Sequence, residues 1–180
     1  MPNLKEIRSR ISSVASTMQI TSAMKMVSAA KLKRAQDAII QMRPYSNKLT
    51  ELLENVSSSL DGSEGGEYSI CRDVEKVLLV AISSNRGLCG GFNSNIIKST
   101  KTLIENKYKN KKVDILSIGK KTSEHFTKNN YNVTATKDDL FNELSFEKTS
   151  LIAEEVMLQF TTKKYDKVIY ANVMPPIHPL

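Results

Sequence analysis

The chain has 180 residues, 40% of them hydrophobic, with no tryptophan and a formal net charge of +7. That length suffices for one ordinary domain of about 100–150 residues plus an appendage. No stretch reaches the roughly 20 apolar residues of a membrane span and no charged-then-apolar leader opens the chain. Cys71 and Cys89 offer neither a disulfide framework nor metal-ligand spacing, so a cytoplasmic protein with reduced thiols is expected.

The charge is unevenly placed. Residues 1–50 carry Lys5, Arg8, Arg10, Lys25, Lys31, Lys33, Arg34, Arg43 and Lys48 against Glu6 and Asp37, nine minus two, which is the whole net charge. The remainder balances at 17 basic and 17 acidic residues. A segment of this kind seeks an acidic partner, whether nucleic acid, anionic lipid or an acidic protein surface.

In chain order, the first element is a long helix. Leu4, Ile7, Ile11, Val14 and Met18 are spaced 3, 4, 3, 4, the seam of a coiled coil. Asn3 is placed to cap it, with Glu6 three residues on as in a capping box. The heptad register would next put Thr21, Lys25 and Ser28 on the seam before Leu32, Ala35, Ile39 and Met42 restore it. The apolar residues of the middle stand instead at Ile20, Met24 and Val27, so this stretch offers apolar surface on more than one side. Pro44 is expected to bend or locally break the helix. Leu49, Leu52, Leu53 and Val56 carry the pattern to about residue 58. The division expected is a shaft helix over 1–58, a polar linker over 59–74, an α/β domain over 75–174 and a tail over 175–180.

From about residue 75, strands and helices alternate. Val77–Ser83 is a continuous apolar run, then comes the loop Ser84–Phe92, with Asn93, Ser94 or Asn95 as cap of a helix carrying Ile96, Ile97, Leu103 and Ile104. Val113–Ile118 is the next strand, Gly119 a turn, Lys121–Lys128 a short helix and Asn132–Thr136 a third strand. Phe146–Lys164 reads as a helix with Leu151, Ile152, Val156 and Phe160 on one face, and Val168–Val173 as the last strand. Such alternation predicts a mainly parallel, Rossmann-like sheet covered by helices.

Candidate chemistry is sparse. Gly87, Gly90 and Gly91 follow a strand and open a helix, where a phosphate-binding turn would sit. They do not match G-x-G-x-x-G, and no Gly-Lys-Ser/Thr closes the loop. The plainer reading is a tight crossover that needs positive φ and close packing. Arg86 in that loop reads as a partner contact. Cys89 is either a low-pKa thiol at a helix start or, more simply, a small buried residue in a crowded turn. His125 and His178 have no cysteine, serine or carboxylate at a motif spacing. Glu154 and Glu155 diverge by roughly 100° on a helix, and Asp138 and Asp139 read as loop or cap acids. No catalytic residue, cofactor site or metal site is assigned. The basic helix has no aromatic residue before Tyr45 to stack on bases. Its first 30 residues share the amphipathic, serine-rich and acid-poor character of a transit peptide, but the helical pattern runs past any cleavage point.

Two stretches carry a family resemblance. The first is Leu4-Lys5-Glu6-Ile7-Arg8-Ser9-Arg10-Ile11, continuing through Ile20-Thr21-Ser22-Ala23-Met24-Lys25-Met26-Val27 and Lys31-Leu32-Lys33-Arg34-Ala35-Gln36. The second is Ser84-Asn85-Arg86-Gly87-Leu88-Cys89-Gly90-Gly91-Phe92-Asn93, with Ile118-Gly119-Lys120-Lys121 as a weaker match. The chain resembles the gamma, or central-stalk rotor, subunit of F-type ATP synthases from residue 3 to about Val168.

That resemblance implies a helix that pairs with a C-terminal helix in an antiparallel coiled coil and turns inside a ring of alternating alpha and beta subunits. It implies an α/β domain against the epsilon subunit and the membrane ion-carrying c-ring. It implies no catalysis or cofactor of the chain's own, no nucleic acid and no membrane span. Its location would be peripheral, at the cytoplasmic face of a bacterial inner membrane. Leu4, Ile7, Ile11, Val14 and Met18 would hold the partner helix. Met24 and Val27, with Ile20, would meet the catalytic subunits, and Lys25, Lys31, Lys33 and Arg34 would face their acidic levers. Arg86, Gly87, Gly90 and Gly91 belong to the family loop. After Val168 the chain departs from the family, and Pro175, Pro176 and Pro179 cannot begin a helix, so a truncated or frame-shifted product, or a fragment, is expected. The competing readings are a nucleotide- or flavin-binding α/β enzyme and a basic coiled-coil nucleic-acid binder.

Overall fold

The computed structural model of the chain describes residues 3–59 and 67–171. They fall into two compact units, Met1–Glu64 and Gly65–Leu180. The first unit is one helix, α1, Leu4–Ser59, 56 residues long. The Asn3 carbonyl accepts from the N–H groups of Glu6 and Ile7, and its Oδ1 accepts from Lys5 N–H at 3.3 Å. Glu6 turns toward Arg10, 3.9 Å away, so the side chain expected to complete a capping box makes an ion pair along the helix instead. Pro44 does not break α1: the helix runs through it. Its ring removes one N–H and crowds one carbonyl, and the bonded turns on either side carry the helix across that gap.

The second unit is α/β. Its elements are β1 (Lys76–Ile82), α2 (Phe92–Thr102) continued by a π-turn over Leu103–Lys107, β2 (Lys112–Ile118) and α3 (Lys120–Lys128). There follow β3 (Val133–Thr136), a 3-10 turn over Leu140–Asn142, α4 (Phe146–Thr161) and β4 (Lys167–Ala171). The four strands form one wholly parallel sheet in the order β3-β2-β1-β4. β1 is central and buried on both faces from Val77 to Ala81, which is why it reads as an unbroken apolar run rather than an alternating one. Its side chains sort by pleat. Leu78 and Val80 join Leu116, Ile118 and Tyr165 under Val156 of α4. Val77, Leu79 and Ala81 face the other layer, with Ile96, Tyr108, Ile115 and Phe126.

Helix ends explain where the sequence reading shifts. Ser145, in extended conformation, caps α4 by accepting from Lys148 N–H at 3.3 Å. The helix stops at Thr161, short of the expected Lys164, because Lys163 takes φ +61 and swings Tyr165 into the core at 2% exposure. Residues 60–66 of the segment read as a linker lie outside the described residues. Its second half, 67–74, packs on α4: Arg72 Nη1 donates to the Phe160 carbonyl at 2.8 Å, and its guanidinium lies 4.6 Å above the Phe160 ring. Asn172, Val173, His178 and the 175–180 tail also lie outside the described residues.

Candidate functional site

On α1 the residues singled out by spacing are all solvent-facing. Leu4, Ile11, Val14 and Met18 are 64–71% exposed and Ile7 42%, while Ile20, Met24 and Val27 are 57–64% exposed. On an ideal helix of 100° per residue, the centre of the first set lies about 150° around the axis from the centre of the second. Underwinding to 3.5 residues per turn narrows the separation to about 110°. α1 therefore presents two distinct apolar faces, about 110–150° apart, and a solvated helix normally has one. Lys25, Lys31, Lys33 and Arg34 form no ion pair among the described residues, whereas Arg10 and Lys48 do.

The β1–α2 loop is held by its asparagines. The N–H of Ser84 donates to Asn93 Oδ1 at 3.0 Å, and Asn93 Nδ2 donates to the Arg86 carbonyl at 3.2 Å and to Cys89 Sγ at 3.1 Å. Asn85 Nδ2 donates to the Asp138 carbonyl at 2.6 Å, and its Oδ1 accepts from Lys120 N–H at 3.0 Å. Asn93 is thus a loop pin and not the expected helix cap. α2 begins at Phe92 with Gly91 at the cap position, and no side chain of Asn93, Ser94 or Asn95 bonds across that cap. The helix starts earlier because Asn93 is drawn back over the loop.

The glycines behave differently from one another. Gly90 has φ +59 as the crossover requires, but a Cβ on Gly87 or Gly90 would meet nothing within 4 Å, so close packing is not their reason. On Gly91 it would come 3.3 Å from Asn95 Nδ2. The second left-handed position in the loop belongs to Leu88, at φ +61 and fully exposed. Arg86 is exposed as expected. Cys89 is exposed as well, correcting the buried reading: its Sγ accepts from the Asn93 amide at the loop surface instead of packing in the core.

Beneath the loop lies a buried hydroxyl cluster that sequence reasoning missed. Ser83 Oγ is 2.8 Å from Thr122 Oγ1, which is 2.6 Å from Ser117 Oγ. Ser123 Oγ donates to Asp138 Oδ1 at 2.5 Å. These groups tie the ends of β1 and β2 to the start of α3 across Gly119. That glycine, at φ +103, is the signal that sequence supplies, since Ser117, Thr122 and Ser123 flank it while Ser83 joins them only across the sheet. Asp138 is engaged in this lock. His125, packed edge-on against Phe126, has its pKa lowered by burial and then by Lys101. Elsewhere, Tyr165 donates to Asp114 Oδ2 at 2.8 Å and Asn132 donates to the other carboxylate oxygen at 2.6 Å. Burial and the Asp114 carboxylate push the Tyr165 phenol up to about 12. A cleft of about 400 Å³ lies along β4, lined by Tyr68, Ile70, Met157 and Phe160 with Arg72 and Asp166 among its polar groups. The structure does not bring His125, Cys89 and Glu154 together into one chemical site: Cys89 and Glu154 are exposed, and His125 is half-buried with its Nε2 lacking a hydrogen-bond partner among the described residues. No helix among the described residues is long and apolar enough to cross a membrane.

A family model described as "ATP synthase" matches residues 3–174. An "ATP synthase gamma chain" of Christiangramia forsetii is 55% identical over 169 residues, covering 94% of this chain and 59% of that relative. One of Flavobacterium johnsoniae is 56% identical over 168 residues, covering 93% and 58%. One of Chlorobium phaeobacteroides is 41% identical over 186 residues, covering 98% and 63%. The chain spans about three fifths of the length of the curated relatives it matches.

Proposed function

Because the chain belongs to the ATP synthase gamma-chain family, we propose that it serves as the central-stalk rotor of an F-type ATP synthase, coupling proton flow through a membrane ring to ATP synthesis without catalysing it. The observation that carries this reading is the pair of separate, exposed apolar faces on α1. A rod gripped along one side by a second helix and swept along the other by surrounding subunits needs both.

In this reading Leu4, Ile7, Ile11, Val14 and Met18 seat an antiparallel helix. Met24 and Val27, with Ile20, touch the alpha and beta subunits, and Lys25, Lys31, Lys33 and Arg34 meet acidic groups on them. The absence of ion pairs at these four cations among the described residues leaves them open to such partners. Exposed opposite charges contribute only about 0–1 kcal/mol each and are screened by salt. Contacts that weak suit a rotor, since a strong buried pair would hold it at one angle. The loop of Arg86, Gly87, Gly90 and Gly91 is a further partner contact, stiffened by Asn85 and Asn93. The α/β unit is proposed to meet the epsilon subunit and the c-ring, at the cytoplasmic face of a bacterial inner membrane.

The test is a complex assembled with alpha and beta subunits in which Lys31, Lys33 and Arg34 are replaced by Gln. Single-molecule torque and coupled ATP synthesis are expected to fall while assembly persists. Torque and coupling equal to wild type would refute the assignment of these cations.

A further inference from the structure

The parallel sheet gathers lysines at the end where its strands begin. Lys76, Lys112 and Lys167 open β1, β2 and β4. The register sets Lys76 beside Lys112, and Lys167 beside Val77. The connections that lead into the strands add Lys107, Lys109 and Lys111 before β2, Lys128 before β3, and Lys163 and Lys164 before β4. All nine are exposed.

None of the nine is in an ion pair among the described residues, while the ion pairs of this unit use Lys120, Lys121, Lys137 and Lys148. The carboxylates of this end are Asp73, Glu75, Glu105 and Asp166, with Asp114 buried and bonded to Tyr165 and Asn132. Nine lysines against the four outer carboxylates leave five positive charges. Asp166 is largely engaged, accepting from the N–H groups of Glu75 and Lys76 at 3.0 and 2.8 Å. Like charges opposed across neighbouring strands cost stability, so the arrangement asks for an anion from outside.

We propose that this lysine rim docks against the headgroups of an anionic lipid bilayer. Its composition selects that partner. Every cation is lysine, a hydrated point charge suited to a diffuse field, and none is arginine, the residue of bidentate recognition. The nearby Arg72 is occupied by Phe160. Protein interfaces are depleted in lysine and anchored by aromatic or apolar side chains. In the segment before β1, Tyr68 and Ile70 are exposed, but Tyr68 is stacked on Phe160 of α4 and both line the cleft along β4. No large apolar side chain is exposed in the connections before β2, β3 and β4, where Tyr108 and Tyr165 are buried. Single-stranded nucleic acid would want those rings outside for stacking. A polybasic surface at a charged leaflet needs only reach and charge. The proposal deepens the rotor reading and rests on it for the presence of a bilayer.

The experiment is co-sedimentation of the full chain with vesicles of phosphatidylcholine alone, or with about a third phosphatidylglycerol, at low salt. α1 carries its own charge, so every chain compared has Lys25, Lys31, Lys33 and Arg34 already replaced by Gln. One variant adds Lys76, Lys109, Lys112 and Lys167 to Gln. The control adds Lys120, Lys121, Lys137 and Lys148 to Gln. Each rim lysine is worth about fivefold in partitioning, so the rim variant is expected to bind anionic vesicles at least about 100-fold more weakly, with the control within about threefold. A pair of changes confined to the connection before β2, Lys109→Glu and Lys111→Glu, gives the same readout with the strands untouched. Equal losses in rim and control variants would overturn the proposal, and so would rim-dependent binding to duplex DNA or polyglutamate but not to vesicles. Failure of the wild-type chain to assemble with alpha and beta subunits would count against the rotor reading alone, and leave the vesicle result standing.

Discussion

Replacing Gly119 by alanine tests what locks the ends of β1 and β2. A Cβ at this position would lie 2.2 Å from the Ser83 carbonyl oxygen, 2.8 Å from its carbon and 2.9 Å from its Oγ. Two of those atoms are backbone, and Ser83 N–H is itself bonded to the Ile118 carbonyl at 2.8 Å, so neither strand end retreats without breaking the joint. The left-handed backbone, φ +103, adds strain of about 1–2 kcal/mol for an L-residue. Overpacking adds about 1–3 kcal/mol. The combined loss of about 2–5 kcal/mol is a large part of the roughly 5–15 kcal/mol that stabilises a domain. Gly87→Ala is the reference: its Cβ meets nothing within 4 Å and its φ is ordinary, so a change between zero and a gain of about 1 kcal/mol is expected. The assay is urea unfolding of the full chain, read by hydrogen exchange in peptides from β1 and β2 so that α1 does not dominate the signal. With a slope of about 1–3 kcal/mol per molar, the Gly119→Ala midpoint is expected to fall by about 1 M or more. Midpoints within about 0.3 M of each other for the two variants would refute the reasoning.

Two further outcomes follow from the packing. Tyr165→Phe leaves the buried Asp114 with Asn132 as its remaining side-chain partner, at a cost of about 1–3 kcal/mol. Because the folded phenol titrates near 12, above the unfolded value near 10, its contribution is complete below about pH 10 and is lost as pH rises toward 12. Urea midpoints across that window should decline more steeply for wild type than for the Phe variant, and equal slopes would contradict the assignment. For α1, apolar side chains exposed on two sides predict that the purified chain self-associates or loses helix in its first 55 residues. Sedimentation velocity should show concentration-dependent species, diminished by Leu4, Ile11 and Met18 to Gln. A sharp monomer with full helicity and strong amide protection would contradict this.

What sequence made legible was whatever repeats locally. The 3-4 spacing gave α1, the apolar runs gave β1, β2 and β4, and alternation gave the parallel sheet. Boundaries moved where a single residue intervened: Lys163 ended α4 early through its left-handed φ, and Asn93 was diverted from cap to loop pin by the N–H of Ser84. Pro44 left the helical pattern running, as read, and produced no break, since one missing donor in a 56-residue helix does not interrupt it. Cys89 was misjudged because composition cannot tell a thiol packed in the core from one held at a loop surface. The hydroxyl cluster and the lysine rim were invisible for a different reason. Ser83 meets Thr122 across 39 positions, and Lys76 meets Lys112 only once two strands are aligned, so neither grouping exists until register does.

The two margins of the sheet are unequal. On one side β3 offers four residues, and its pairing slips between Ile115 and Leu116, a poor template for any newcomer. On the other, β4 pairs with β1 in unbroken step over five residues and leaves Tyr170 61% exposed. Among the described residues, foreign strands should therefore add along β4 more readily than along β3, and a lysine in place of Tyr170 should slow that addition.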